Sequence, residues 1–173
     1  MLKPRSGTAT QPPLDAGAVH ADRWNVDLNA LLPITHAAAT LFMTGVIWFV
    51  QIVHYPLFGR IPSDGFTRYE QAHTTRTGLV VAPLMLLELA SAAALPLLGL
   101  HVAFTHTYLA TLGFLALIWA STFLIQVPLH GLLEKRHDEA SIRRLVATNW
   151  IRTLLWSFRL GLLAYLLLSS QGH

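Results

Sequence analysis

Apolar residues gather in four long runs, at about residues 34–55, 78–100, 108–129 and 149–168. The polar residues inside each run recur at helical spacing. His36, Thr40, Thr44, Gln51 and His54 share one face of the first run, and His73, Thr77, Glu88 and Ser91 share one face leading into and through the second. Trp119, Thr122, Gln126 and His130 do so in the third, and Asn149, Trp156 and the arginines Arg152 and Arg159 in the fourth. At about 1.5 Å rise per residue, each run can cross roughly 30 Å of hydrocarbon. Hydrocarbon solvates neither amides nor charges, so such faces turn to a bundle interior. The pattern predicts an all-α integral membrane four-helix bundle over residues 31–170, with its polar stripes inward. Thr40, Thr44, Ser91 and Thr122 are read as helix-to-helix hydrogen bonders.

The punctuation of the runs sets expected boundaries. Residues 1–30 carry Lys3-Pro4-Arg5, Gly7 and Pro12-Pro13 without a helical period, and read as a disordered polar tail with no secretory signal. Pro56 is expected to stop the first span, Pro83 and Pro96 to kink the second, and Pro128 to disturb the end of the third. Ser63 or Asp64 is expected to cap the helix that enters the second span, and Asp138 the helix that enters the fourth.

Composition agrees with the pattern. Hydrophobic residues make up 53% of the chain and charged ones 12%, a balance foreign to soluble domains. The net charge of +3 comes from basic residues that flank apolar runs, so lipid, not nucleic acid, is the expected partner. Arg60, Arg68, Arg76, Lys135, Arg136, Arg143 and Arg144 fall around the first and third connections. Lys3, Arg5 and Arg23 lie in the tail, and none lies in the second loop or at the C-terminus. The positive-inside rule then puts residues 59–75 and 131–147 in the cytoplasm and both termini outside. The absence of cysteine excludes disulfides, thiolate metal sites and thiol catalysis.

The two halves resemble each other. Gln51-Ile52-Val53-His54-Tyr55-Pro56-Leu57 parallels Gln126-Val127-Pro128-Leu129-His130, and His73-Thr74-Thr75-Arg76-Thr77 parallels Asn149-Trp150-Ile151-Arg152-Thr153. Read as a repeat, this makes two helical hairpins related in parallel fashion, with chance similarity between apolar segments as the alternative. The repeat would bring Gln51, His54, His73, Arg76, Gln126, His130, Asn149 and Arg152 to one depth near the cytoplasmic leaflet. Imidazole, guanidinium and amide groups converging beneath apolar residues make a pocket. In it His73, His130, Asn149 and Arg152 are the candidate catalytic groups. Gln51, His54, Arg76, Gln126 and Trp156 are the candidate substrate contacts.

Haem or a metal held by His54, His73 and His130 is the alternative to interfacial histidines bonded to water and headgroups. The interfacial reading is preferred, because the spacing fits no ligand motif and no second carboxylate is expected at that depth. His36, His101 and His106 read as solvated histidines at the outer face, with a transmembrane haem pair as the alternative. Glu88 and Arg159 are the deepest charges, each roughly 15 Å into its span. They read either as a buried ion pair or, for Glu88, as a proton carrier.

The layout resembles the DUF1772-like group of small four-span membrane proteins, which includes the fungal anthrone oxygenases. The resemblance rests on Gly45-Val46-Ile47-Trp48-Phe49 with Pro56-Leu57 beyond, on Pro128-Leu129-His130-Gly131-Leu132-Leu133, and on Asn149-Trp150-Ile151-Arg152. In the group the second element usually carries asparagine and the third histidine; here the two are exchanged. The resemblance implies a membrane oxygenase or oxidoreductase acting on a hydrophobic small molecule without an obvious cofactor. The competing readings are a non-catalytic accessory protein and a small proton-coupled carrier using Glu88, which with four spans would need a homodimer.

Overall fold

The computed structural model describes residues 27–99 and 105–169, so the expectations for the tail before residue 27 and for His101 lie outside the described residues. These residues form helices and connecting turns without strands. The first long helix is built from α1 (Leu28–Phe49), a π-helical turn (Val50–His54) and α2 (Tyr55–Phe58). The second is α3 (Ser63–Ala94) followed by a 3-10 turn (Leu95–Leu98). The third joins α4 (Thr105–Ser121), a second π-turn (Thr122–Gln126) and α5 (Val127–Leu133), and the fourth is α6 (Glu139–Ser169). All four are long and apolar enough to cross a membrane.

Local chemistry explains where these boundaries depart from expectation. Helix α1 starts at Leu28, inside the expected polar tail, because the Asp27 side chain accepts from Asn29 N–H at 2.9 Å and caps it. Pro56 does not stop the first helix, whereas Pro128 does disturb the end of the third. Before each proline the backbone widens, and Tyr55 N–H bonds Val50 C=O just as Val127 N–H bonds Thr122 C=O, five residues back. A wide turn takes in a ring that would strike the carbonyl four residues earlier. Pro83 leaves α3 unbroken, whereas Pro96 sits in the 3-10 turn that closes on Gly99 at φ 68°.

Neither Ser63 nor Asp64 caps α3. Pro62 occupies the cap position, and Asp64 lies in the first turn, where a carboxylate suits the positive helix end. Asp138 does cap α6: its carboxylate accepts from Ser141 N–H at 3.0 Å and from the Ser141 hydroxyl, and its carbonyl accepts from Ile142 N–H at 3.0 Å. These bonds to the charged form hold the Asp138 carboxyl below the usual carboxylate range.

The first long helix packs on the second and the fourth, and the third packs on the fourth. One apolar cluster joins Tyr55, Phe58, Phe66, Leu133 and Leu145 at the end near the charged connections. Another joins Met43, Ile47, Met85, Ile118 and Trp156. Polarity is inverted relative to a soluble bundle: Glu88 and Arg159 are 0% exposed, while Leu97 and Leu124 are 85% and 76% exposed. The polar stripes thus face the interior.

Candidate functional site

The second and third long helices meet chiefly through α3 and α5, and a cavity of about 540 Å³ opens between them. Its walls are mainly apolar, with Met43, Ile47, Val81, Met85, Trp119 and Phe123 among them. Polar groups gather in one part of the lining: Tyr55, His73, Gln126, His130, Glu134 and Arg152. Glu134 is already engaged, since its carboxylate accepts from the Thr74 hydroxyl at 2.6 Å. Arg152 is not engaged. Its Nε is buried without a partner, and the residue makes no hydrogen bond or ion pair among the described residues.

At this lining the three expected histidines converge, His73 and His130 in it and His54 behind them. His54 Nε2 lies 2.8 Å from His73 Nδ1, and the His73 and His130 ring centres are 5.3 Å apart. The Tyr55 hydroxyl lies 2.8 Å from His130 Nε2, and the Thr77 hydroxyl lies 3.1 Å from His73 Nδ1. His130 Nδ1 is paired with Glu70 Oε1. Glu70 is fully buried, and its other oxygen, Oε2, has no hydrogen-bond partner.

Glu70 overturns the expectation that no second carboxylate shares this depth. One donor atom each from Glu70, His73 and His130 lies within 4.8 Å of the other two, a spacing that could hold a metal ion. Sequence reasoning passed over Glu70 and Tyr55. The available signal was Glu70-x-x-His73, since residues three apart on a helix share a face and this pair recurs in metal-binding bundles.

Other expected site residues lie elsewhere. Asn149 Nδ2 donates to Gln51 Oε1 at 2.9 Å, and Gln51 Nε2 donates to Val146 C=O at 3.3 Å. The two amides tie the first helix to the fourth and do not line the cavity. Gln126 does line it, while donating to the Thr148 hydroxyl at 3.1 Å. Arg76 is exposed and off the cavity, although Arg152 holds the corresponding place after Asn149. The cause is packing: the fourth helix is flanked by the first and the third, the second mainly by the first. Trp156 is not a cavity residue but a core one, 1% exposed among Met43, Ile47, Met85 and Ile118.

A second polar centre surrounds Glu88 and Arg159, which are in direct contact. Arg159 donates to Thr111 C=O at 3.2 Å and to the Thr40 hydroxyl at 3.0 Å, and lies 3.1 Å from His36 Nε2. Thr40 has one hydroxyl proton within reach of both Glu88, at 2.5 Å, and its own helix carbonyl at His36, at 3.0 Å. His36 Nδ1 meets the Ser91 hydroxyl at 2.8 Å. His36 is therefore a buried member of this network and not a solvated outer histidine, since both ring nitrogens are engaged and the residue is 2% exposed. His106 is exposed.

Fold and site define, among the described residues, an all-helical bundle of four membrane-length apolar helices with a mainly apolar cavity lined by histidine and arginine. The chain matches no protein-family model, no curated protein and no solved structure.

Proposed function

We propose that this is a multi-pass membrane protein that binds a hydrophobic small molecule in the cavity, with an anionic or oxygen-rich group of that molecule against Arg152. One observation carries the reading: Arg152 is a cation with a buried, unpartnered nitrogen at the wall of a mainly apolar chamber of about 540 Å³. An uncompensated guanidinium in such surroundings is costly, and an anion or a carbonyl group would offset that cost. The chamber has the size range of small-molecule sites. The resemblance to the DUF1772-like group and the imidazoles that line the same cavity as Arg152 support an oxidoreductase or oxygenase class. The two widened turns, each six residues ahead of its proline, support a parallel repeat of hairpins. Against a proton carrier at Glu88 stands the enclosure of its carboxylate by Arg159 and Thr40.

The test is a native mass spectrum of the protein purified in detergent. A small molecule should remain bound, and Arg152→Lys should reduce its retention about 10- to 100-fold with little change in thermal stability. That range corresponds to a charge-assisted bond of roughly 1.5–3 kcal/mol, whose planar fork lysine cannot reproduce. Equal retention in Arg152→Lys would refute the assignment of Arg152.

The proposed orientation has both termini outside and residues 59–75 and 131–147 in the cytoplasm. Single cysteines at Ser63 and Ser169 should then react with an impermeant reagent from opposite sides of the membrane. Reaction from the same side refutes it.

A further inference from the structure

We infer that Glu70, His73 and His130 form a binding site for one divalent first-row transition metal ion, whose remaining coordination positions face the apolar cavity. The inference goes beyond the small-molecule reading and does not depend on what occupies the cavity. Three observations carry it.

The first is convergence. A carboxylate and two imidazoles, on two different long helices, place one donor each within 4.8 Å of one another. Donors on a single ion at about 2.1 Å lie roughly 3–3.5 Å apart, so closure needs only small side-chain rotations. Glu70 and His73 sit three residues apart on α3 and so share a face, and α5 presents His130 to them.

The second is the unfinished state of Glu70. Its side chain is fully buried, yet Oε2 has no hydrogen-bond partner and Oε1 meets one imidazole nitrogen. A simple ion pair with His130 would leave that buried oxygen bare. A cation shared by the carboxylate and both rings satisfies it.

The third is the support around the rings. Metal-bound histidines are usually held in place through the nitrogen that does not touch the ion. Here Tyr55 holds His130 at Nε2, leaving Nδ1 beside Glu70. His54 and Thr77 hold His73 at Nδ1, leaving Nε2 as the nitrogen without a hydrogen bond. Both rings are therefore oriented with one donor each in reserve. This accounts for His54, which does not line the cavity.

Two imidazoles and one carboxylate, with positions left open, suit Zn(II) and Fe(II) alike. The shared requirement is a borderline divalent ion with nitrogen and oxygen ligands. His73 and His130 also line the cavity, so an ion here would meet the cavity's contents directly.

The experiment uses the full chain in detergent, stripped with a chelator and titrated in separate arms with Zn(II) and, without oxygen, with Fe(II). About one equivalent of at least one ion should bind, with a rise in the thermal midpoint. Glu70→Gln should weaken binding at least about 100-fold. Tyr55→Phe, which keeps all three ligands and loosens His130, should weaken it about 10- to 100-fold. His106→Ala, at an exposed position, should bind like the parent chain. Failure of the parent chain to bind either ion overturns the inference, and this arm needs no variant to fold. Unchanged binding in a folded Glu70→Gln, or loss in His106→Ala, also overturns it, because the ion would then sit elsewhere.

Discussion

Glu88→Gln and Arg159→Gln should each lower the stability of the bundle by about 3–5 kcal/mol, and the double change by clearly less than the sum. Both side chains are fully buried and in contact. Removing one leaves the other as a lone charge in low dielectric, still facing Thr40 and, for Arg159, His36 and the Thr111 carbonyl. Two neutral amides can instead bond each other and Thr40. The contrast arises because desolvating an unpaired ion costs more than its hydrogen bonds return. Unfolding of the four forms in one detergent, by heat or denaturant, measures the coupling. Strict additivity would show that the pair does not act as a unit.

Trp156→Ala should cost about 3–5 kcal/mol, with Trp156→Phe much milder. The indole is enclosed by Met43, Ile47, Met85 and Ile118, and the Arg159 guanidinium lies 5.8 Å from its ring centre. Alanine would leave a void beneath a buried cation and remove the aromatic face that attracts it. Phenylalanine keeps most of the volume and the face. Because Trp156 lies off the cavity wall, Trp156→Phe should retain the bound small molecule at the level of the parent chain. A stable Trp156→Phe that lost the molecule would return Trp156 to the ligand site. Unfolding and native mass spectra of the same samples read both effects.

The fourth helix shows how differently a helical period serves fold and site. Spacing placed Asn149, Arg152, Trp156 and Arg159 on one face, and three of the four are fully buried. It could not say which of them borders empty space. Arg152 does, Arg159 meets a carboxylate, Trp156 fills the core, and Asn149 bonds Gln51. Period reports direction from the helix axis. What lies in that direction depends on how far away the neighbouring helix stands.

The sequence by itself determined four long apolar helices with inward polar stripes. That follows from composition and a 3.6-residue period, both properties of the chain alone. It also carried the Asp138 cap, a bond across three residues. Tertiary structure alone decided the rest. It exposed Arg76 while turning Arg152 to the cavity, because the fourth helix has neighbours on two sides. It brought His36 onto Arg159 and Glu70 onto His130, pairs 123 and 60 residues apart along the chain. No local spacing encodes such distances, since the meeting of distant side chains is set by the crossing and rotation of whole helices.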